Sequence, residues 1–524
     1  MNRFLFLSFF FLLCATSFSQ FTNVLISDVN SPNEVSICIN PKNTSQIVGG
    51  ANLNNVFRST DGGLTWSADL LTDPLNGVWG DPIIFTDTTG NFFYSHLSNP
   101  PQNGSWVDRI VFTKSIDGGV TWWNEGTTTG KNGAKVQDKE GVIVNQETNE
   151  IYVTWTQFDS YGSSNSLDST YIMFSKSTDA GLTWSTPVRI SKNAGNCEDD
   201  DLTVEGAIPT VGPNGELFVV WTGPNGVVMN KSLDNGATWL EEEVSVIDMP
   251  GGWNYNIGGL QRCNGLPQLV TDLSGGVNHG TMYLNWTDQR NGSNDTDVWM
   301  IKSSDGGDTW STLKRVNDDA VGKQQFLTWM TCDQANGNLH FVFYDRRNYE
   351  LSNDSTDVYM AFSSDGGATI SNYKVNENGF VPNPSTFFGD YTSVSAVNNI
   401  VRPIWMTYET TGMSVWTAII DGQELGLLET KIENTSSLDL SQNTPNPYYQ
   451  TTCIQFSLKE DSKVSLKIYD VLGNAIVVLL DEEQYKRGKY DYVFNATTHK
   501  MCSGVYYYEL SSGEYRTTKK MIVN

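Results

Sequence analysis

The chain has 524 residues, 12% of them aromatic, with 47 glycines and a formal net charge of −26. Such a length calls for two or more domains, and the glycine and aromatic content fits an all-β protein with many turns. So negative a chain excludes nucleic acid and anionic membranes as partners.

At the start, Met1–Ser19 reads as a secretory signal peptide: Arg3, an apolar run from Phe4 to Ala15, then small Ser17 and Ser19 before Gln20. The run is too short for a permanent bilayer anchor, and no later segment is apolar enough to be one. Leu13 before Cys14 is bulkier than the residues lipoprotein sites prefer, so lipidation is not expected.

Six near-copies of an octapeptide, S-x-D-x-G-x-T-W, follow: Ser59–Trp66, Ser115–Trp122, Ser177–Trp184, Ser232–Trp239, Ser303–Trp310 and Ser363–Ile370. Their aspartates are Asp61, Asp117, Asp179, Asp234, Asp305 and Asp365, at steps of 56, 62, 55, 71 and 60 residues. Such a spacing marks a repeated supersecondary unit, too long for most solenoids and suited to four strands with long loops. Within the turn, Asp accepts backbone N–H bonds and Gly takes a φ > 0 position. Ser or Thr ties the ends, and Trp is large enough to wedge against a neighbouring sheet. Six equivalent catalytic loops would be odd, so these aspartates read as structural. The motif resembles that of the Asp-box (BNR-repeat) proteins, whose best-known members are sialidases, and the resemblance implies a β-propeller. It is specific for the turn and weak for any one activity.

Around each box the strands repeat. A second strand reads Glu150–Trp155, Glu216–Trp221, Thr281–Trp286 and Asn338–Phe343, with weaker versions ending at Ala51 and His96 and a seventh at Val401–Trp405. The third strand also occurs seven times, from Val56–Arg58 to Ser414–Ala418, in period-two alternation. A fourth follows each box, as in Pro187–Ser191, Leu313–Asn317 and Tyr373–Asn376, but the seventh unit has none downstream. Asn23–Asp28 carries the missing pattern. It is predicted to pair as the outer strand of the last unit, closing the ring and removing a free edge. The expected fold is therefore a seven-bladed propeller over residues 20–425, where sialidases have six blades, the alternative count.

After a linker at 426–440, residues 441–524 form a different module. Gln442–Pro447, Thr452–Leu458, Val464–Asp470, Ser503–Leu510 and Lys519–Met521 resemble, in order and spacing, the C-terminal sorting domain of the type IX secretion system. The resemblance implies a small β-sandwich, the secretion machinery as partner, and a secreted or outer-surface location. A β-sandwich adhesion module is the plainer reading.

Export permits disulfides, and the six cysteines after the leader allow fifteen pairings. Cys197 and Cys263, each just before an inner strand of adjacent repeats, are the preferred pair. Cys38 and Cys332 lie in apolar strands and read as buried thiols.

In a four-stranded blade the first strand lines the axis, so strand-one starts and the turns between strands two and three share the face opposite the boxes. That places Asp81, Glu140, Glu205, Trp329 and Tyr391 together with loops 95–109, 156–170, 287–297 and 344–357. Arg290, in Thr287–Arg290, and Arg346 and Arg347, in Tyr344–Arg347, could fork onto a carboxylate or sulfate. Pairing with the nearby aspartates to stiffen the loops is the plainer reading. Glu198–Asp201 offers oxygens to Ca²⁺, although a solvated acidic loop is the commoner outcome. No other metal or cofactor is expected, since the histidines lack ligand spacing and no phosphate loop or Ser/His/Asp set stands out.

The sialidase resemblance extends to particular residues. That family holds the sugar carboxylate with three arginines, attacks through a Tyr activated by a Glu, and protonates the leaving group with an Asp. Gly389–Val394 looks like its nucleophile segment, which implies Tyr391 in that role beside Asp390, with Glu409 ending the next strand. Glu205–Val211 looks like its Glu segment, and Gly80-Asp81-Pro82 also fits. The departures lie in the arginines and the acid: Asn33–Cys38 stands where the family has Arg-Ile-Pro, Trp221-Thr-Gly carries no Arg, and the turn Asn52–Asn55 is too short for the acid/base Asp. The expectation is a secreted, sialidase-like propeller that binds or processes extracellular glycan or another polymer. Three forms remain open: a glycoside hydrolase or lyase using Asp81, Glu205 or Asp390 beside Tyr391, an exo-sialidase with a rearranged triad, and a non-catalytic propeller gripping sugar or protein through Trp329 and the long loops.

Overall fold

All six Asp boxes fold alike. In the first, Ser59 Oγ donates to Asp61 Oδ1 at 2.8 Å and accepts from Gly63 N at 2.8 Å, while Asp61 accepts Thr65 N at 2.9 Å and Thr65 Oγ1 at 2.6 Å. The same four bonds recur around Asp117, Asp179, Asp234, Asp305 and Asp365. The fifth position must be glycine for two reasons. Its φ is positive (+87° at Gly119, +83° at Gly181), and a Cβ there would stand 2.7 Å from Val48 or Phe93 of the preceding sheet. The box tryptophan wedges on that same sheet: Trp184 stacks on Phe112 at 4.0 Å, and Trp239 meets Phe174 edge-on at 4.9 Å.

The computed structural model describes residues 21–102, 104–410, 412–425, 438–458, 461–470, 474–513 and 515–524. The expected signal peptide Met1–Ser19 and most of the 426–440 linker lie outside the described residues. Two compact units are present, Met1–Gly422 and Gln423–Asn524.

Among the described residues the first unit holds seven four-stranded antiparallel sheets. In chain order, from the inner strand outward, the first is Ser36–Ile39, Ile47–Ala51, Asn55–Ser59 and Ser67–Leu70. The second is Gly80–Thr86, Phe92–Leu97, Ile110–Ser115 and Thr127–Thr128. The third is Val136–Val144, Ile151–Phe158, Thr170–Ser177 and Val188–Arg189. Next come Glu205–Val211, Leu217–Gly223, Gly226–Ser232 and Val244–Ile247 as the fourth. The fifth comprises Gln268–Thr271, Met282–Asp288, Asp297–Ser303 and Lys314–Arg315. Gln325–Asp333, Asn338–Asp345, Asp357–Ser363 and Ser371–Lys374 make the sixth. In the seventh, Ser393–Val397, Ile400–Glu409 and Gly412–Asp421 are followed by Thr22–Ser27 from the far end of the chain.

Adjacent sheets bury their apolar faces against one another. Tyr152, Ile172 and Phe174 of the third share a cluster with Val211, Leu217 and Trp221 of the fourth, and Phe218 and Met229 of the fourth meet Met282 and Trp286 of the fifth. Inner strands touch in succession around the unit, and Ser393–Val397 of the seventh sheet meets Ser36–Ile39 of the first. This is the arrangement of a β-propeller.

A lysine just before the box serine ties neighbouring sheets together at the second to fifth boxes. Lys114 Nζ donates to Ala180 O in the next box, Lys176 to Asn235 O, Lys231 to Gly306 O and Lys302 to Gly366 O, at 2.8–3.4 Å. The sixth box is preceded by Phe362, and the seventh sheet has no box to receive a cation. That sheet instead sends Arg402 Nε to Gly62 O of the first box at 2.8 Å.

The amino-terminal ribbon pairs as the sequence pattern anticipates. Thr22 lies opposite Ile419, Leu25 opposite Trp416 and Ser27 opposite Val415. Asn23 reaches sideways to the sixth sheet's outer end, donating to Val375 O at 2.9 Å and accepting from Glu377 N at 2.9 Å.

The expected disulfide is not formed: all six described cysteines are free thiols. Cys197 bridges Ser163 and packs with Trp155 and Phe158, whereas Cys263 pairs with Tyr255 in a separate two-stranded ribbon. Each sulfur is satisfied by burial in a different place. Cys332 is buried as expected, while Cys38 is partly buried.

In the second unit, Leu438–Leu440, Thr451–Leu458 and Gly488–Asn495 form one sheet. Ala475–Tyr485, Ser462–Tyr469, Gly504–Ser512 and Tyr515–Val523 form another. Ile454 and Phe456 from the first share one core with Leu466, Ile468, Tyr508 and Leu510 from the second.

Candidate functional site

The inner strands begin irregularly, and that irregularity builds the site. Register shifts fall between Gly80 and Ile83, Asp138 and Gly141, Glu205 and Ile208, and Phe326 and Trp329. Inside them Asp81, Lys139 and Leu327 take φ values of 54°, 53° and 49°, and Glu34 takes 51° just ahead of the first inner strand. A non-glycine residue held there costs about 1–3 kcal/mol. A β-bulge adds one residue and re-aims the next side chain. The result is a ring of polar side chains at the starts of the inner strands.

These residues line one depression. One part of it is walled by Asp81, Lys139, Glu140, Trp329, Asp390 and Tyr391. An adjoining part shares Asp81, Lys139 and Asp390 and adds Asp138, Tyr161, Asp199, Glu205, Trp253 and Arg262. The structure therefore brings together Asp81, Glu205, Asp390, Tyr391 and Trp329, with Trp329 and Tyr391 rings 5.9 Å apart.

Other residues singled out from the sequence serve elsewhere. Arg290 is spent on Asp288, Arg346 on Thr356, Gly258 O and Asp354, and Arg347 on Asp345 and Asp318. The arginines thus stiffen their loops. Glu409 accepts from Ser414 and Trp416 beside a separate groove. In the acidic run, Asp199 accepts from Tyr161 OH at 2.6 Å, Asp200 from Leu202 N at 2.9 Å and Asp201 from Asn254 N at 2.8 Å. No group of three or more His, Cys, Asp or Glu side chains placed to hold a metal occurs among the described residues.

Sequence reasoning did not single out Glu34, Asp138, Lys139, Trp253 or Arg262; it placed loop 156–170, which holds Tyr161, on this face and read Asp199 only within the acidic run Glu198–Asp201. Asp138 and Lys139 directly precede Glu140, but the bulge that turns them into the cleft leaves no mark in the alternation. Arg262 comes from the connection between the fourth and fifth sheets, which carries the two-stranded ribbon Asn254–Tyr255 and Cys263–Asn264. It spans the cleft as a latch: Nε donates to Asp390 Oδ1 at 3.0 Å, a second nitrogen to Asp390 Oδ2, and Nη1 to Asp199 Oδ2 at 3.4 Å.

The site is crowded with carboxyl groups. Burial, then repulsion from Asp81 and Asp390, holds the Glu34 carboxyl well above the usual range, and Glu34 also accepts from Asn52. Glu205 is raised by burial and by Asp199 and Asp138, and Glu140 by burial and Asp81. Asp138 is pushed up to about 7 by burial, with Asp81 and Asp199 adding to it. Burial opposes the charge on Lys139, but Asp81, Glu34, Asp390 and Glu205 outweigh it and hold the ammonium above its ordinary value. That ammonium sits 3.6 Å from the centre of the Tyr391 ring. Burial, then Asp81 and Glu34, drives the Tyr391 phenol far up, so phenolate is disfavoured.

Residues 149–400 match the BNR repeat-like domain, residues 57–68 the BNR/Asp-box repeat, and residues 444–524 the secretion system C-terminal sorting domain. The chain thus carries the repeats of a BNR propeller and, behind them, a secretion sorting domain. That domain routes it by type IX secretion to the cell surface or the extracellular space. No helix among the described residues is long and apolar enough to cross a membrane. No curated protein sequence matches the chain. Among solved structures, it is similar to the Hadza microbial sialidase Hz136 at 16% identity, covering 72% of this chain and 73% of that one with a TM-score of 0.39. A Penicillium chrysogenum α-L-arabinanase complexed with arabinobiose is 13% identical, over 77% and 98%, with a TM-score of 0.41. The intramolecular trans-sialidase from Ruminococcus gnavus is 12% identical, over 65% and 94%, also at 0.41.

Proposed function

We propose that this is a secreted glycoside hydrolase acting on extracellular glycan, with its chemistry in the axial cleft of a seven-bladed propeller. On this reading each four-stranded sheet is a blade, residues 20–425 form the propeller after removal of 1–19, and 441–524 form a sorting sandwich behind a linker. Seven sheets, inner strands that meet in succession, and a ribbon pairing first with last support the blade count.

One observation carries the activity: a buried Glu205 held well above the usual carboxyl range shares a cleft with Asp81 and Asp390. Buried Glu205, kept protonated, is the general acid that gives its proton to the glycosidic oxygen as the bond to the anomeric carbon breaks. Asp81, which lines both parts of the cleft, is the carboxylate that removes a proton from the attacking water, so the net reaction adds one water across the bond. Asp390 is held by Arg262 and serves as scaffold. An exo-sialidase with Tyr391 as nucleophile is less well supported, because the phenol is driven up and Arg262, the arginine lining the cleft among the described residues, is already paired with a carboxylate.

The test is release of 4-methylumbelliferone from a panel of glycosides by the full chain. Turnover of at least one substrate is expected, falling at least a hundredfold in Glu205→Gln and in Asp81→Asn while Trp fluorescence still reports sugar binding. Inactivity on every glycoside with binding retained would leave a non-catalytic glycan-binding propeller. Turnover of the sialoside alone, lost in Tyr391→Phe, would establish the sialidase form.

A further inference from the structure

Four buried polar atoms have no hydrogen-bond partner among the described residues and belong to side chains lining this cleft: Lys139 Nζ, Trp253 Nε1, Glu140 Oε2 and Glu205 Oε2. Glu140, Trp253 and Glu205 are only 4%, 5% and 6% exposed, so bulk water does not satisfy them. Leaving such atoms unpaired is costly, and natural proteins seldom do so without a reason. Two are donors by nature. The other two are carboxyl oxygens, able to accept when charged and to donate when protonated.

Lys139 is the pivot of this set. Its ammonium rests on the Tyr391 ring amid Asp81, Glu34, Asp390 and Glu205, yet makes no salt bridge or hydrogen bond with any of them among the described residues. The gap between cation and carboxyl groups suits a group that accepts from one side and donates to the other. A hydroxyl does both, whereas a carboxylate only accepts. Six carboxyl groups line the cleft (Asp81, Asp138, Glu140, Asp199, Glu205 and Asp390) against Lys139 and Arg262, and Arg262 is already latched to Asp390. An anionic sugar would set its charge beside a lining rich in carboxyl groups and push each of them further towards the protonated form.

We infer that, on the glycan-site reading given above, the cleft takes an uncharged sugar unit and selects against acidic ones. Lys139 and Trp253 donate to its hydroxyls, and those hydroxyls bridge onward to Glu140 and Glu205. Trp329 and Tyr391 offer the adjoining apolar wall. Lys139 is thereby the specificity-determining residue, a role no arginine in the cleft is free to take.

The test is equilibrium binding to the full chain, read by intrinsic fluorescence, since Trp253 and Trp329 both line the cleft. The neutral probes are the methyl glycosides of glucose, galactose, mannose and arabinose; the acidic ones are glucuronate, galacturonate and N-acetylneuraminate. At least one neutral probe is expected to bind, and every acidic probe at least about tenfold more weakly. Lys139→Met should weaken the neutral probe about tenfold or more, the loss expected for one hydrogen bond to a charged group, with Lys139→Arg recovering part. Equal or tighter binding of an acidic sugar, failure of all neutral probes, or an unchanged affinity in a folded Lys139→Met protein overturns the inference. Should that variant not fold, the neutral-against-acidic comparison on the unmodified chain decides alone. Neutral sugar bound without any turnover sinks the hydrolase reading and spares this one; turnover confined to acidic glycosides does the reverse.

Discussion

Asp138 shows how one side chain couples this site to the stability of the whole. Burial pushes it up to about 7, so between roughly pH 4 and 7 the folded protein binds a proton that the unfolded chain has lost. Stability contributed by this group therefore falls as pH rises through that window. Asp138→Asn should raise the melting temperature at pH 8, by an amount equivalent to about 2–4 kcal/mol, and leave it nearly unchanged at pH 4. Thermal scans of both proteins at the two pH values check this, and an equal shift at both would remove the titration from the account. The box aspartates act in the opposite sense. Hydrogen bonds from Thr65 hold Asp61 down at about 2, so their contribution is present above the unfolded value near 4 and is lost as pH falls towards 2. Glu205, Asp81 and Tyr391 were legible because they stand at the starts of inner strands, where topology alone aims them at the axis. Lys139 was not. Period-two alternation cannot foresee a bulge, and the bulge is what gives Lys139 its left-handed backbone and its place in the cleft.

At the scale of the element, the box was read correctly as a turn, and its lysine partner was overlooked. The residue before the box serine looked like any exposed strand position, since its role appears only once the next sheet is laid beside it. Lys302 Nζ reaches Gly366 O at 2.8 Å across that junction, and Phe362 stands at the corresponding place where no box follows. Lys302→Met should destabilise the protein by about 1–2 kcal/mol, since it removes a charged donor from a backbone carbonyl. Lys42→Met, on an exposed turn, should stay within about 0.5 kcal/mol. Chemical denaturation of both variants provides the comparison, and equal effects would mean that the inter-sheet bond contributes nothing. Outer strands were predicted longer than they are: Pro187–Ser191 shrinks to Val188–Arg189, and Leu313–Asn317 to Lys314–Arg315. A strand at the rim has one neighbour only, so its ends are held by turn and side-chain bonds instead, as where Ser191 Oγ accepts from Ile172 N at 2.9 Å.

For the whole molecule the deciding contact is between residues nearly 400 positions apart. The ribbon Thr22–Ser27 completes the seventh sheet, and with it Phe21 and Ile26 become buried, at 7% and 6% exposure. Asn23 carries two bonds into the sixth sheet, and Phe21 meets Tyr373 there edge-on at 6.3 Å, so the ribbon staples two neighbouring sheets as well as completing one. Burying two such apolar side chains contributes about 3–6 kcal/mol before the strand ladder is counted. Deleting residues 21–27 from the otherwise complete secreted chain should therefore lower the first thermal transition by about 5 °C or more. It should also leave Gly412–Asp421 as an open edge that recruits other chains, visible as concentration-dependent aggregation on size-exclusion chromatography. Asn23→Ala, which removes only the sideways staple, should show a smaller shift and no aggregation. The opposite result, a truncated protein that melts and elutes like the intact one, would mean that the inner strands and the lysine bridges hold the ring closed without help from the amino-terminal ribbon.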